Sequence, residues 1–221
     1  MKSIKKNYIY NLTYQILALM APLITTPYVS RVLGAEAIGE YSYGYSIVYY
    51  FMLAAILGTA TYAEREISFC QDDKTKRSAR FWDLFFLRNI TSVVSALVYG
   101  LTVGLCFNNK LMAAIVALNI VSVGLDTVWL FQGMEEFGRI TLRDTCIKLL
   151  TIASIFLFIK RTEDIYLYAL IMSLSPVVSA VSLLPFLHRY IDKIRIKEVR
   201  PFYDLKSIIG LFIPTIAISV Y

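Results

Sequence analysis

Six stretches of this 221-residue chain are long and apolar enough to cross a bilayer, and a seventh is under way at its last residue, Tyr221. A hydrocarbon core about 30 Å thick asks for roughly 20 helical residues at a rise of about 1.5 Å each. The runs Tyr8 to Val32, Ser42 to Tyr62, Phe81 to Phe107, Leu111 to Phe131, Leu142 to Ile159 and Ile165 to Leu187 meet that requirement. The run Ser207 to Tyr221 falls short, so the sequence predicts a chain cut within its seventh helix. Lipid offers no partner for open sheet edges, and the alternation of a barrel strand is absent, so the expectation is an all-α polytopic membrane helix bundle.

Composition agrees. The chain is 57% apolar and 17% charged, against about 25% charged in ordinary soluble domains. Its net charge of +6 could suggest nucleic acid, but the positions of the 22 Lys and Arg argue for topology instead. Lys2, Lys5 and Lys6 precede the first span. Arg65, Lys74, Lys76, Arg77 and Arg80 follow the second, Arg139, Arg143 and Lys148 flank the link from fourth to fifth, and Arg189, Lys193, Arg195, Lys197, Arg200 and Lys206 follow the sixth. The alternate side holds only Arg31, Lys110, Lys160 and Arg161, and Arg88 falls inside a span. By the positive-inside rule the N-terminus and the even-numbered links are cytoplasmic. The first apolar run exceeds the roughly 7 to 15 residues of a cleavable signal core, so it is expected to stay as an anchor.

Links are short and leave no room for a soluble domain. The chain has no phosphate-binding G-x-x-x-x-G-K-[ST], no H-E-x-x-H and no paired C-x-x-C, and its single histidine, His188, lies at a span end. Cys70, Cys106 and Cys146 are odd in number and read as structural or incidental. No catalytic residue, metal site or cofactor is expected. The chemistry left is binding and movement within the membrane.

Charges inside spans cost at least about 2.5 to 3.5 kcal/mol at the helix centre, which singles out Arg88 and Asp126. Counted from the ends of their spans they lie at one depth, either as a structural ion pair or as separate faces of an aqueous cavity. The first span carries Asn7, Asn11, Tyr14, Gln15, Pro22 and Thr25 at spacings of three and four, a polar stripe suited to a cavity or to helix packing. Pro22 and Pro27 predict kinks in it. On the fourth span Asp126, Trp129 and Gly133 share a helical face with Gln132 beside them.

Four segments in this order resemble the polysaccharide flippases, including O-antigen unit flippases, of the multidrug/oligosaccharidyl-lipid/polysaccharide transporter superfamily. They are Pro27-Tyr28-Val29-Ser30-Arg31-Val32-Leu33-Gly34 with Glu36 and Gly39; Thr61-Tyr62-Ala63-Glu64-Arg65-Glu66-Ile67; Leu125-Asp126-Thr127-Val128-Trp129-Leu130-Phe131-Gln132-Gly133-Met134-Glu135; and the opening of the seventh span, 211–221. The resemblance implies one six-helix lobe (1–206) of a two-lobe MATE-like transporter fold, followed by the start of a second lobe (207–221). It also implies flipping of an undecaprenyl-diphosphate-linked oligosaccharide across a bacterial inner membrane by alternating access, for O-antigen, capsule or exopolysaccharide synthesis. Candidate contacts for substrate or coupling ion are Arg31, Arg65, Arg88, Asp126, Trp129, Gln132, Asn11 and Gln15. Expected partners are the lipid-linked oligosaccharide, the lipid bilayer and other polysaccharide assembly proteins, with no nucleic acid. A membrane-embedded polysaccharide polymerase, a cation-coupled multidrug exporter of the same superfamily and a non-transporting fragment are the competing readings.

Overall fold

The computed structural model describes residues 4–107, 109–194 and 198–210, and among them there are helices and turns but no strands. The helices are α1 (Ile4–Ile56), α2 (Thr59–Phe69), α3 (Lys74–Cys106), α4 (Lys110–Leu125), α5 (Val128–Gly133), α6 (Phe137–Phe158) and α7 (Ile165–Leu183). Four stretches, 15–69, 74–103, 110–133 and 162–189, are long and apolar enough to cross a membrane. The protein is an all-α polytopic membrane helix bundle.

Several predicted spans are redrawn. The first two form one continuous element, α1, with two arms joined at Gly34, whose φ of 81° and ψ of 166° no side-chain-bearing residue adopts comfortably. The second arm ends at Ile56, before the predicted Tyr62, because Leu57 and Gly58 both take left-handed φ and turn the chain into α2. Pro22 and Pro27 do not interrupt the dihedrals of the first arm; the break falls at Gly34. The third span begins seven residues early, at Lys74, where the Asp73 carboxylate accepts the Lys76 N–H at 3.0 Å. That hydrogen bond holds the Asp73 carboxyl below its ordinary pKa. The fourth span is split at Asp126 and Thr127 into α4 and α5, and the sixth ends at Leu183 in a 3-10 segment, Leu184–Arg189. Of the predicted seventh span, 207–210 is helical, in a helix that begins at 205, and 211–221 lies outside the described residues.

The bundle has two ends. At one, the Tyr28 hydroxyl donates to the Ile159 carbonyl at 2.7 Å, and Asn109 donates to Glu40 at 2.6 Å and to the Tyr166 hydroxyl at 2.8 Å. Arg31, Lys110, Lys160 and Arg161 belong to this end. At the other, the buried Arg77 guanidinium donates to the carbonyls of Tyr190 at 2.9 Å and Gln71 at 2.6 Å. Arg80 there pairs with Asp204 at 2.6 Å. The described basic residues of the links after the second, fourth and sixth predicted spans, among them Arg77, Arg80 and Arg139, therefore gather at one end of the fold.

Within lipid, apolar burial does not draw helices together; close packing and interhelical hydrogen bonds do, at about 0.6 kcal/mol per bond. α3 shows the division between faces. On its inner stripe Arg88, Thr91, Ser95 and Tyr99 hydrogen-bond to neighbours: Thr91 to the Ala55 carbonyl at 2.6 Å, Ser95 to that of Phe51 at 2.6 Å, Tyr99 to that of Ala113 at 2.9 Å. Its outer stripe, Ile90, Val93, Val94, Leu97, Val98 and Leu101, is exposed and wholly aliphatic. That is the face of a helix that meets acyl chains.

At the basic end α2 and α5 meet at Gly133, where an added Cβ would lie 2.8 Å from the Glu64 carbonyl oxygen and 2.8 Å from Ile67 Cβ. The Gln71 amide seals the contact by donating to the Gly133 carbonyl at 2.6 Å. Gly133→Ala is expected to destabilise the bundle by about 1–3 kcal/mol through overpacking. Gly39→Ala, with open space around its Cβ, should leave the thermal midpoint of the detergent-solubilised protein unchanged or higher.

Candidate functional site

The break between α4 and α5 frees backbone groups in the middle of the bundle, and its neighbours on α3 take them up. Arg88 Nε donates to the Val123 carbonyl at 2.9 Å, and Asn89 Nδ2 donates to that of Gly124 at 3.1 Å. A guanidinium at the last turn of α4 also meets the negative end of that helix. Arg88 Nη2 then reaches Asp126 Oδ2 at 2.9 Å, while Asp126 Oδ1 accepts the Val128 N–H at 3.0 Å. Trp129 Nε1 donates to the Asp126 carbonyl at 3.0 Å, and its ring stacks on Phe81 with centroids 5.1 Å apart. The equal depths predicted for Arg88 and Asp126 thus become a direct ion pair.

The Arg88 side chain is only 4% exposed, and that of Asp126 is 29% exposed. Arg88 Nη1 is buried without a hydrogen-bond partner. The pair walls a cavity of about 240 Å³ together with Ile56, Ser122, Val123, Pro176, Ser179 and Ala180. The wall can therefore offer one guanidinium N–H and one carboxylate edge to a polar occupant.

Of the other sequence-predicted residues, Trp129 meets the site only through the Asp126 backbone, and the rest are not brought to it. Trp129 is buried and structural, and Gln132 is half-buried in α5. Because Asp126 sits in extended backbone (φ −69°, ψ 123°), the single helical face predicted for Asp126, Trp129 and Gly133 does not exist. Arg65 is half-exposed at the basic end, over the Tyr62 ring at 5.2 Å and 3.7 Å from Glu66. Arg31 is exposed near Gly34 at the opposite end. Gln15 is exposed on the first arm of α1, and the Asn11 side chain lies outside those described.

Two basic residues that the sequence reading counted among the charges flanking the fourth-to-fifth link, Arg143 and Lys148, lie within α6, as the predicted fifth span Leu142 to Ile159 implies. Arg143 donates to the Ser179 carbonyl at 3.0 Å and grips Asp144 Oδ1 at 2.6 Å, and the Ser179 hydroxyl donates to that same oxygen at 3.2 Å. Ser179 also lines the Arg88 cavity. One turn further on, Lys148 lines a second cavity of about 200 Å³ with Pro22, Thr25 and Thr26 of α1, Thr151 of α6, and Tyr168 and Ser175 of α7. Among the described residues none gives Lys148 an ion pair or a hydrogen bond. The signal available in the sequence was the spacing Asp144, Lys148, Thr151, Ile155, which is one helical face.

Breaking the Arg88–Asp126 pair from either side strands a buried charge, and Arg88→Ala or Asp126→Ala should each cost about 3–5 kcal/mol. Arg88→Leu with Asp126→Asn should recover part of that loss, with a coupling of about 1 kcal/mol or more in a double-mutant cycle read from thermal unfolding.

A family model described as "Polysaccharide biosynthesis protein" matches residues 4–221. A protein of Escherichia coli (strain K12) bearing the name "Putative O-antigen transporter" is 27% identical over 225 residues, covering 99% of this chain and 54% of its own length. The chain thus spans about half the length of that relative. No solved structure matches it. With all but its first three residues covered by the family model, the chain belongs to the polysaccharide biosynthesis protein family.

Proposed function

We propose that this chain forms one lobe of a flippase that carries an undecaprenyl-diphosphate-linked oligosaccharide from the inner to the outer leaflet of a bacterial inner membrane. It works with a second lobe by alternating access, its N-terminus is cytoplasmic, and it acts as a transporter and not as an enzyme. The observation that carries this reading is Lys148, a half-buried cation within the bundle that makes no ion pair or hydrogen bond with the described residues. An ammonium placed in hydrocarbon costs at least about 2.5 to 3.5 kcal/mol, so Lys148 requires either a wet cavity or an anion. A diphosphate answers both, and the Ser175 hydroxyl on the same cavity, which accepts from Thr151 at 3.0 Å and keeps its own hydrogen, supplies a donor for one of its remaining oxygens. Family membership and the O-antigen transporter relative support the choice of cargo.

Arg88 serves a different purpose in this reading. Its guanidinium already caps α4 and pairs with Asp126, so it sets the geometry of the broken helix, while Lys148 meets the cargo.

In a host lacking its own flippase, Lys148→Gln is expected to reduce surface polysaccharide at least tenfold at normal protein level, with lipid-linked repeat units accumulating inside. Lys148→Arg should restore most of the export. Full export by Lys148→Gln would remove the anion-binding role. A cysteine at position 110 should react with impermeant maleimide from outside and one at position 74 only after permeabilisation; the reverse pattern would overturn the orientation.

A further inference from the structure

The exposed face of the second arm of α1 has the wrong chemistry for acyl chains. Ser42, Tyr45, Ser46, Tyr49 and Tyr50 recur at helical spacing and are all exposed, Tyr50 at 61%. The large exposed side chains on the outer face of α3, Ile90, Val93, Val94, Leu97, Val98 and Leu101, are by contrast all aliphatic. No charged residue lies between Glu40 and Glu64, so nothing on this face addresses a phosphate or a counter-ion. It presents flat aromatic rings and hydroxyls alone.

Those rings connect, through the buried ring of Tyr41, to the Lys148 cavity. Tyr168, which lines the Lys148 cavity, meets Tyr41 edge-on at 5.2 Å. Tyr41 stacks on Tyr45 at 6.0 Å, Tyr45 neighbours Tyr49 at 6.4 Å, and Tyr49 neighbours Tyr50 at 6.4 Å. Tyr45, Ser46, Tyr49 and Tyr50 border a shallow groove of about 260 Å³. From Ser42 to Tyr50 the exposed face runs about 12 Å along the axis, the reach of a short oligosaccharide and not of one ring. Tyrosines that anchor a protein at the membrane surface cluster at one depth. These descend through several.

We propose that this face is the glycan-contacting wall of the transport path, with sugar rings stacking by their C–H faces on Tyr45, Tyr49 and Tyr50 and their hydroxyls exchanging hydrogen bonds with the phenols and with Ser42 and Ser46. The proposal rests on the flippase reading and deepens it: the anionic head group sits at Lys148 and the oligosaccharide extends from it along the tyrosines. An aromatic surface of this kind supplies area at little cost in side-chain entropy and a polar tip at each ring.

The test uses the full-length protein in nanodiscs and two soluble probes, inorganic pyrophosphate and the delipidated repeat-unit oligosaccharide of the host's own surface polysaccharide. Saturation-transfer NMR should show the oligosaccharide bound to wild type. Binding should fall at least tenfold in the triple variant Tyr45→Leu, Tyr49→Leu, Tyr50→Leu, and two- to fivefold in the corresponding Phe variant, with unfolding midpoints unchanged. Pyrophosphate binding should survive both and disappear in Lys148→Gln. Undiminished oligosaccharide binding by the Leu variant, or none by wild type that still binds pyrophosphate, would overturn the glycan wall and leave the flippase reading in place. Failure of wild type to bind either probe, with surface polysaccharide unaffected by deleting its gene, would remove both. A Ser46→Cys protein should react with water-soluble maleimide and be protected by the oligosaccharide. Cross-linking of that cysteine to another membrane helix in place of labelling would assign the face to helix packing and refute the proposal.

Discussion

A helix that breaks inside a membrane must hand its freed carbonyls and amides to something other than water, and here they go to Arg88. Its Nε takes the Val123 carbonyl at the end of α4, and its Nη2 holds Asp126, whose second oxygen takes the Val128 N–H at the start of α5. One ion pair therefore satisfies both sides of the gap, with the cation at the negative end of one helix and the carboxylate at the amide end of the next. Much of the fold follows from that gap. It sets the depth at which Trp129 stacks on Phe81 and lets Gly133 close onto α2.

The same economy separates the polar groups that hold the bundle together from those left over. Most interior polar groups are spent on backbone carbonyls of neighbouring helices, as with Thr91, Ser95 and Tyr99, or on one another, as with Asn119 and Ser173 at 3.0 Å. Such groups hold helices in register and have little left for a ligand. Lys148 and the exposed tyrosines of α1 differ because their polar atoms are not consumed in this way. Function is sought where satisfaction is incomplete, and in this chain that directs attention to the cavity between α1, α6 and α7.

At the basic end the segment after α7 returns along α3. The Asp192 N–H donates to Ser78 at 2.8 Å, Trp82 Nε1 donates to the Asp192 carbonyl at 2.9 Å, the Arg200 N–H donates to Asp83 at 2.6 Å, and Ile208 is fully buried beside the core of Tyr62, Phe81 and Trp129. The charges concentrated there are thus more than a topology signal. Arg77, buried and shared among three carbonyls, ties the turn before α3 to the end of the α7 segment, a task that needs the planar fork of arginine and that lysine could not match.

Length, hydropathy and the distribution of basic residues determined that the chain is an all-α membrane bundle, because the thickness of lipid and the cost of burying charge act on local sequence and need no knowledge of neighbours. Arg88 and Asp126 could also be singled out that way, as charges in apolar runs. What each touches could not, since the partners of a side chain are set by residues far along the chain: 38 positions separate Arg88 from Asp126, and 131 separate Tyr28 from the Ile159 carbonyl. Only packing showed that Asp126 ends a helix, that Lys148 borders a cavity between α1, α6 and α7, and that the reversal falls at Gly34 and not at the prolines. The tyrosine track was equally hidden, because the sequence shows five tyrosines in ten residues but not which of them face outward. That is a property of the neighbours each ring fails to meet, and it exists only once the helices have been assembled.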